Sequence, residues 1–139
     1  MSIGRYLRVA VPSPLYSHFD YLPPDAVDPN TLVPGVRLRV PFGGRDAVGI
    51  LLDISAHTEA PISKLKRVRR ILDPLPVIPE DMLDLARWAA EYYRHPIGEV
   101  MQVLLPVALR QGKPAQVAAT PVWRTTATGA QADTTLLKR

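Results

Sequence analysis

Apolar residues fall at alternate positions in residues 5–11, Arg-Tyr-Leu-Arg-Val-Ala-Val, so Leu7, Val9 and Val11 share one face of an extended chain. Pro12 and Pro14 end that segment. Residues 15–22 form a second extended piece, closing on Phe19-Asp20-Tyr21-Leu22 and stopped by Pro23-Pro24, and 25–35 is a turn-rich loop with Asp28-Pro29-Asn30 and Pro34-Gly35. Alternation returns in Val36-Arg37-Leu38-Arg39-Val40-Pro41-Phe42, which sends Arg37 and Arg39 to the face opposite Val36, Leu38 and Val40. Gly43-Gly44-Arg45-Asp46 predicts a hairpin turn, and residues 47–54 a long buried strand in which Gly49 predicts a bulge or a barrel bend. Residues 64–72 carry Leu65, Val68, Ile71 and Leu72 as an apolar set whose period fits a strand or a helix.

The spacing lengthens after Pro79. Proline in the first turn, Glu80 and Asp81 at the positive end of the dipole, and Arg94-His95 at the other end predict a helix with Leu83, Ala86, Ala90 and Tyr93 inward. Pro96 stops it, and residues 97–105 predict a second, shorter helix with Ile97, Val100, Met101, Leu104 and Leu105 inward. Strands first and helices after give a mainly β fold with helices: an OB-like β-barrel capped by a C-terminal helical hairpin. Residues 1–112 form that domain. Residues 113–139, rich in Thr and Ala, read as a linker and the opening of a further domain.

At 139 residues the chain has room for one domain and a fragment of another. It has no cysteine, which excludes disulfides, thiolate zinc sites and a Cys nucleophile. No apolar run approaches the roughly 20 residues of a membrane span, and the expected location is cytoplasmic. The net charge is +4, and 13 of the 17 basic residues are arginine, which suits forked contacts to phosphate but also follows from a GC-rich genome.

Phosphate-binding glycine loops and the Gly-x-Ser-x-Gly elbow are absent, so no enzyme activity is expected of these residues. His18, His57 and His95 lack metal-ligand spacing. His18 beside Asp20 has no accompanying nucleophile, and a surface loop accounts for it more simply. Trp88, Tyr92 and Tyr93 are expected as core and boundary aromatics. Residues 64–70 hold five basic side chains in seven, which describes a solvated edge strand or, with Arg37 and Arg39 on the same surface, a track for phosphates. Arg37, Arg39, Lys64 and Arg67 are the candidate phosphate contacts. The residues alone leave two readings open, a single-strand nucleic-acid binder and a β-barrel protein-interaction module.

The stretches Val9-Ala10-Val11-Pro12, Phe19-Asp20-Tyr21-Leu22-Pro23, Pro34-Gly35 through Phe42-Gly43, Val48-Gly49-Ile50-Leu51, Leu65-Lys66 leading to Ile71-Leu72-Asp73, Trp88-Ala89-Ala90-Glu91-Tyr92-Tyr93-Arg94-His95-Pro96-Ile97-Gly98-Glu99-Val100, and Leu105-Pro106 with Leu109-Arg110-Gln111-Gly112 supply a further indication. In order and spacing they resemble the N-terminal 3′-end DNA-binding domain of primosomal protein N′, the PriA replication-restart helicases of bacteria. The resemblance covers residues 8–112. It implies the recognition piece of an ATP-dependent 3′-5′ helicase acting at stalled forks and D-loops. ATP, Mg and Zn are then expected only in downstream domains absent from this sequence, residues 113–139 correspond to a linker and the start of a winged helix, and single-stranded DNA-binding protein and primosome proteins are partners of the whole protein.

By the matching motifs, the resemblance implies a pocket for a DNA 3′ end made by Phe19, Asp20, Gly43 and Lys66. The chemistry is coherent: glycine permits close approach to the backbone, the ring gives an apolar wall and the ammonium meets a phosphodiester. Asp20 repels phosphates, so its use must be selective, accepting a hydrogen bond from a base edge or a free 3′-hydroxyl.

Overall fold

The computed structural model describes residues 5–117, 119–132 and 135. Five antiparallel strands, β1 (Tyr6–Ala10), β2 (Phe19–Tyr21), β3 (Arg37–Phe42), β4 (Arg45–Ser55) and β5 (Arg70–Ile71), form one sheet in the order β2-β1-β4-β3-β5. The ladder does not close into a barrel. The two edges meet at a single parallel bridge, where Leu22 N–H donates to the Lys66 carbonyl (2.9 Å) and Val68 N–H to the Leu22 carbonyl (3.0 Å). Only the last part of the predicted strand 64–72 pairs as β5; residues Ile62–Lys64 form a 3₁₀ turn instead.

Gly43 and Gly44, with φ of 58° and 80°, make the two-residue turn between β3 and β4, closed by the pair Phe42 and Arg45. Pro41 is tolerated inside β3 because β5 pairs only with Leu38 and Arg39, leaving Pro41 without a neighbour on that side. The bulge expected at Gly49 sits elsewhere. The β1–β4 register slips between Arg8 and Val9, which face Asp53 and Leu51, so Leu52 is the extra residue. Gly49 serves close packing instead, since a Cβ there would press on the Val9 side chain.

The curled sheet buries both faces. Inside the curl lie Leu7, Val9, Val11, Tyr21, Val36, Leu38, Val40, Leu51 and Val68. The other face presents Ala10, Ile50 and Leu52 to Leu83 and Ala86 of α1 (Glu80–Tyr92) and to Met101 of α2 (Ile97–Leu104). The helical cap thus matches the sequence pattern, with one exception: Tyr93, expected inward, caps α1 from outside and is 69% exposed.

Arg37 requires a correction. Alternation does place it opposite Leu38 and Val40, but that face is covered, and its side chain is fully buried. Its Nε and Nη2 donate to Asp73 Oδ2 (2.8 Å) and Oδ1 (2.6 Å), and Nη1 donates to the carbonyls of Leu109 (2.8 Å) and Lys113 (2.9 Å). These carbonyls lie in and just beyond α3 (Val107–Arg110), so Arg37 fastens the end of the helical region to the sheet and is no phosphate contact. Arg39 is half-buried on the same face, against Gly112. Further on, α4 (Ala127–Ala130) is one short turn, and Val122 and Trp123 are exposed. The apolar pair Leu136 and Leu137 lies outside the described residues.

Candidate nucleic-acid interface

A cleft of about 560 Å³ opens where the edge strand β2, the β3–β4 turn and the chain after Ile62–Lys64 approach one another. Phe19, Asp20, Gly43 and Lys66 all line it, as does Lys64. Phe19 meets Phe42 edge to face, with ring centroids 4.9 Å apart, which gives the cleft a rigid apolar wall. Tyr21 stiffens the same corner from beneath. Its buried hydroxyl donates to the Pro41 carbonyl at 3.0 Å, and burial pushes its pKa up to about 12. Gly43 contributes openness as well as its left-handed backbone, because a Cβ there would meet nothing within 4 Å.

Asp20 is the most constrained member. Its side chain is only 8% exposed, and Oδ2 accepts a 2.7 Å hydrogen bond from Thr58 Oγ1. That hydroxyl is itself oriented, since it accepts from the Ala60 amide at 3.1 Å and so aims its proton at Asp20. Oδ1 has no hydrogen-bond donor among the described residues. Arg8 Nε and His18 Nε2 each stand 3.8 Å from it, too far to hydrogen-bond, and the guanidinium attracts it by charge. Arg8 faces Asp20 directly across the β1–β2 ladder and also faces Asp53 across β1–β4. A buried carboxylate oxygen and a buried guanidine nitrogen, Arg8 Nε, are thus both unsatisfied beside the cleft.

The other predicted phosphate contacts divide. Lys64 is exposed in the cleft. Arg67 is held by the Pro23 carbonyl (2.6 Å) and by Asp25 (3.2 Å), still on the surface. Sequence reasoning missed Thr58, which sits in a loop 38 residues from Asp20 and carries no pattern of its own; the pairing of Arg8 with Asp20 was within reach, because two neighbouring antiparallel strands with opposite charges favour that register. Trp88, Tyr92 and Tyr93 are not buried either. They are 54–69% exposed and pack on one another, Trp88 stacked on Tyr92 at 5.0 Å and Tyr93 edge-on to both.

Among the described residues no helix is long and apolar enough to cross a membrane. Residues 8–106 match the family model of the 3′DNA-binding domain (3′BD). The chain is 38% identical over 128 residues to the replication restart protein PriA of Haemophilus influenzae, an alignment covering 92% of this chain and 17% of that protein. The PriA of Buchnera aphidicola is 27% identical over 74% of this chain and 14% of its own length, and that of Bacillus subtilis 29% identical over 66% and 11%. The chain therefore spans a small fraction of the relatives it matches. With the mainly β architecture and the cleft in place, the chain belongs to the PriA 3′DNA-binding domain family.

Proposed function

We propose that this chain binds the free 3′-hydroxyl end of a DNA strand in the cleft of Phe19, Asp20, Gly43 and Lys66. The observation that carries the reading is the Asp20 carboxylate, whose Oδ1 lacks a donor while its Oδ2 is fixed by Thr58. A terminal hydroxyl would supply that donor on displacing the neighbours that close Oδ1 off from solvent. Arg8 and His18, partly exposed and beyond hydrogen-bond distance, can yield to it without breaking a bond. The Phe19–Phe42 wall offers an apolar surface to the terminal base or sugar, and Lys66 and Lys64 meet the phosphodiester. A 3′-phosphate would instead bring up to two negative charges toward a carboxylate.

In the whole protein, the domain would recognise the nascent leading strand at stalled forks and D-loops for a 3′-5′ helicase, in the cytoplasm. ATP, Mg and Zn would be held by other domains, and single-stranded DNA-binding protein and primosome proteins would be reached through the full-length molecule. These statements rest on the family and on the relatives' names as replication restart proteins. The protein-docking alternative draws its support from the exposed Trp88, Tyr92 and Tyr93 surface.

The test is a fluorescence titration of 3′-OH, 3′-phosphate and 5′-end-only oligonucleotides across salt concentrations. Wild type should prefer 3′-OH ends, and Asp20→Ala should lose that preference while its salt-dependent binding is kept or strengthened. Equal loss on both kinds of 3′ end would remove Asp20 from the role. Removing Lys66 should weaken all ends and lower the salt slope. Absence of any DNA binding would favour the docking module.

A further inference from the structure

Lys66 stands between two depressions. On its far side lies a groove of about 410 Å³, which shares Pro41 and Lys66 with the cleft and is otherwise walled by Arg45, Arg67 and Arg69. Its one carboxylate, Asp46, lies 3.7 Å from Arg69, and Arg67 is paired with Asp25. Among the described residues, Arg45 and Lys66 have no carboxylate within the 4.0 Å of an ion pair, and both are exposed. The groove therefore has four cations against one acid, two of them uncommitted. The low Gly43-Gly44 turn forms the lip between the two depressions, and a Cβ at either glycine would meet nothing within 4 Å. No side chain of that turn bars a strand from passing over it.

We propose that this groove is the track for the phosphodiester backbone of the nucleotides preceding the 3′-terminal one. Single-stranded DNA whose terminal residue occupies the cleft leaves over Lys66 and presents its next phosphate to Arg45, with Arg69 released from Asp46 as a further contact. The inference rests on the cleft's being the 3′-end site, and it gives a role to Arg69 of the basic run 64–70, which the terminal pocket leaves unused. Arginine suits the task because its planar fork meets two phosphate oxygens at once.

The experiment is fluorescence anisotropy on the intact 139-residue chain. The probes are 3′-OH oligodeoxynucleotides of increasing length, from a dinucleotide to a hexanucleotide, in a salt series. Affinity should rise by about five- to tenfold from the dinucleotide before levelling off. The slope of log K against log salt should steepen by about 0.7 for each added phosphate contact. Arg45→Ala combined with Arg69→Ala, both at exposed positions, should cancel the gain with length. It should leave the dinucleotide affinity and the 3′-OH over 3′-phosphate preference as in wild type. Affinity independent of length in wild type, or a gain with length that survives the double substitution, would overturn the proposal. A length gain that needs Arg45 and Arg69 in a protein indifferent to 3′-phosphate would leave the groove standing and sink the reading of the cleft. Failure to bind any of the oligonucleotides would sink both.

Discussion

Replacing Arg37 with alanine tests whether this arginine is a structural clamp. The side chain is fully buried and makes four hydrogen bonds, two to Asp73 and two to the carbonyls of Leu109 and Lys113, while its own backbone N–H also donates to Asp73 Oδ2 at 3.0 Å. Truncation leaves the 4%-exposed Asp73 carboxylate without its counter-charge, and breaking a buried pair in that way costs about 3–5 kcal/mol. A domain of this kind is stable by about 5–15 kcal/mol, so a large part of the margin is at stake. With a urea m-value of about 2 kcal/mol/M, the midpoint should fall by about 2 M. Arg37→Met combined with Asp73→Leu should recover part of the loss by removing both charges, but not all. Two partners of the pair, the Arg37 amide and the Lys113 carbonyl, lose their bond, whereas the Leu109 carbonyl keeps the Gly112 amide at 3.0 Å. A midpoint shift below about 0.5 M for Arg37→Ala would refute the clamp. So would a stable Arg37→Ala variant with a shallower salt dependence of DNA binding, which would return Arg37 to the phosphates.

Tyr21 gives a pH signature. Its folded pKa of about 12 lies above the ordinary 10.0, so its contribution is full below pH 10 and is lost as pH rises toward 12, because the unfolded phenol ionises first. The loss is at most about 2.7 kcal/mol, read as the difference in alkaline denaturation between wild type and Tyr21→Phe; parallel profiles would rule it out. Glycine substitutions should rank by space. Gly98→Ala drives a Cβ into the Val11 carbonyl and should cost about 3 kcal/mol or more, whereas Gly43→Ala meets open space and suffers only from its φ of 58°, about 1–2 kcal/mol. Thermal unfolding that gave the reverse order would contradict the packing described.

The sequence was most legible where one local pattern decides one local structure. Alternation located β1 and β3, the glycine turn and the apolar run after it located β4, and Pro79 and Pro96 marked the starts of α1 and α2. It failed where a distant element decides. Arg37 and Arg39 alternate correctly out of the inner core, yet nothing local says that residues 109–113, some 70 positions later, will cover that face. Tyr93 fits the helical stripe, but α1 ends at Tyr92 and Arg94 takes a left-handed φ of 50°, so no further helical turn follows and Tyr93 stays exposed. The cleft was legible only through family resemblance. Period-two reasoning sends Phe19 and Asp20 to opposite faces, and both line the cleft because β2 is a three-residue edge strand with open space beside it.

The structure also changes how the acid in the cleft is understood. Read from the sequence, Asp20 is a bare negative charge among cations, harmful to DNA binding unless selective. In the folded chain it faces the Arg8 guanidinium across the ladder, so its charge is already answered, and Arg8 is shared with Asp53 at 4.0 Å. Removing the carboxylate therefore does two things. It deletes the acceptor for a terminal hydroxyl, and it frees a half-exposed guanidinium to meet phosphates wherever they arrive. The Asp20→Ala variant should then bind 3′-phosphate ends and internal single strand more tightly than wild type, with a steeper salt slope, even as its preference for a free 3′-hydroxyl disappears. Asp20→Ala combined with Arg8→Ala should remove the gain in unspecific binding without restoring the preference. If the double variant bound 3′-phosphate ends as tightly as Asp20→Ala alone, Arg8 would not be the cation that the carboxylate restrains.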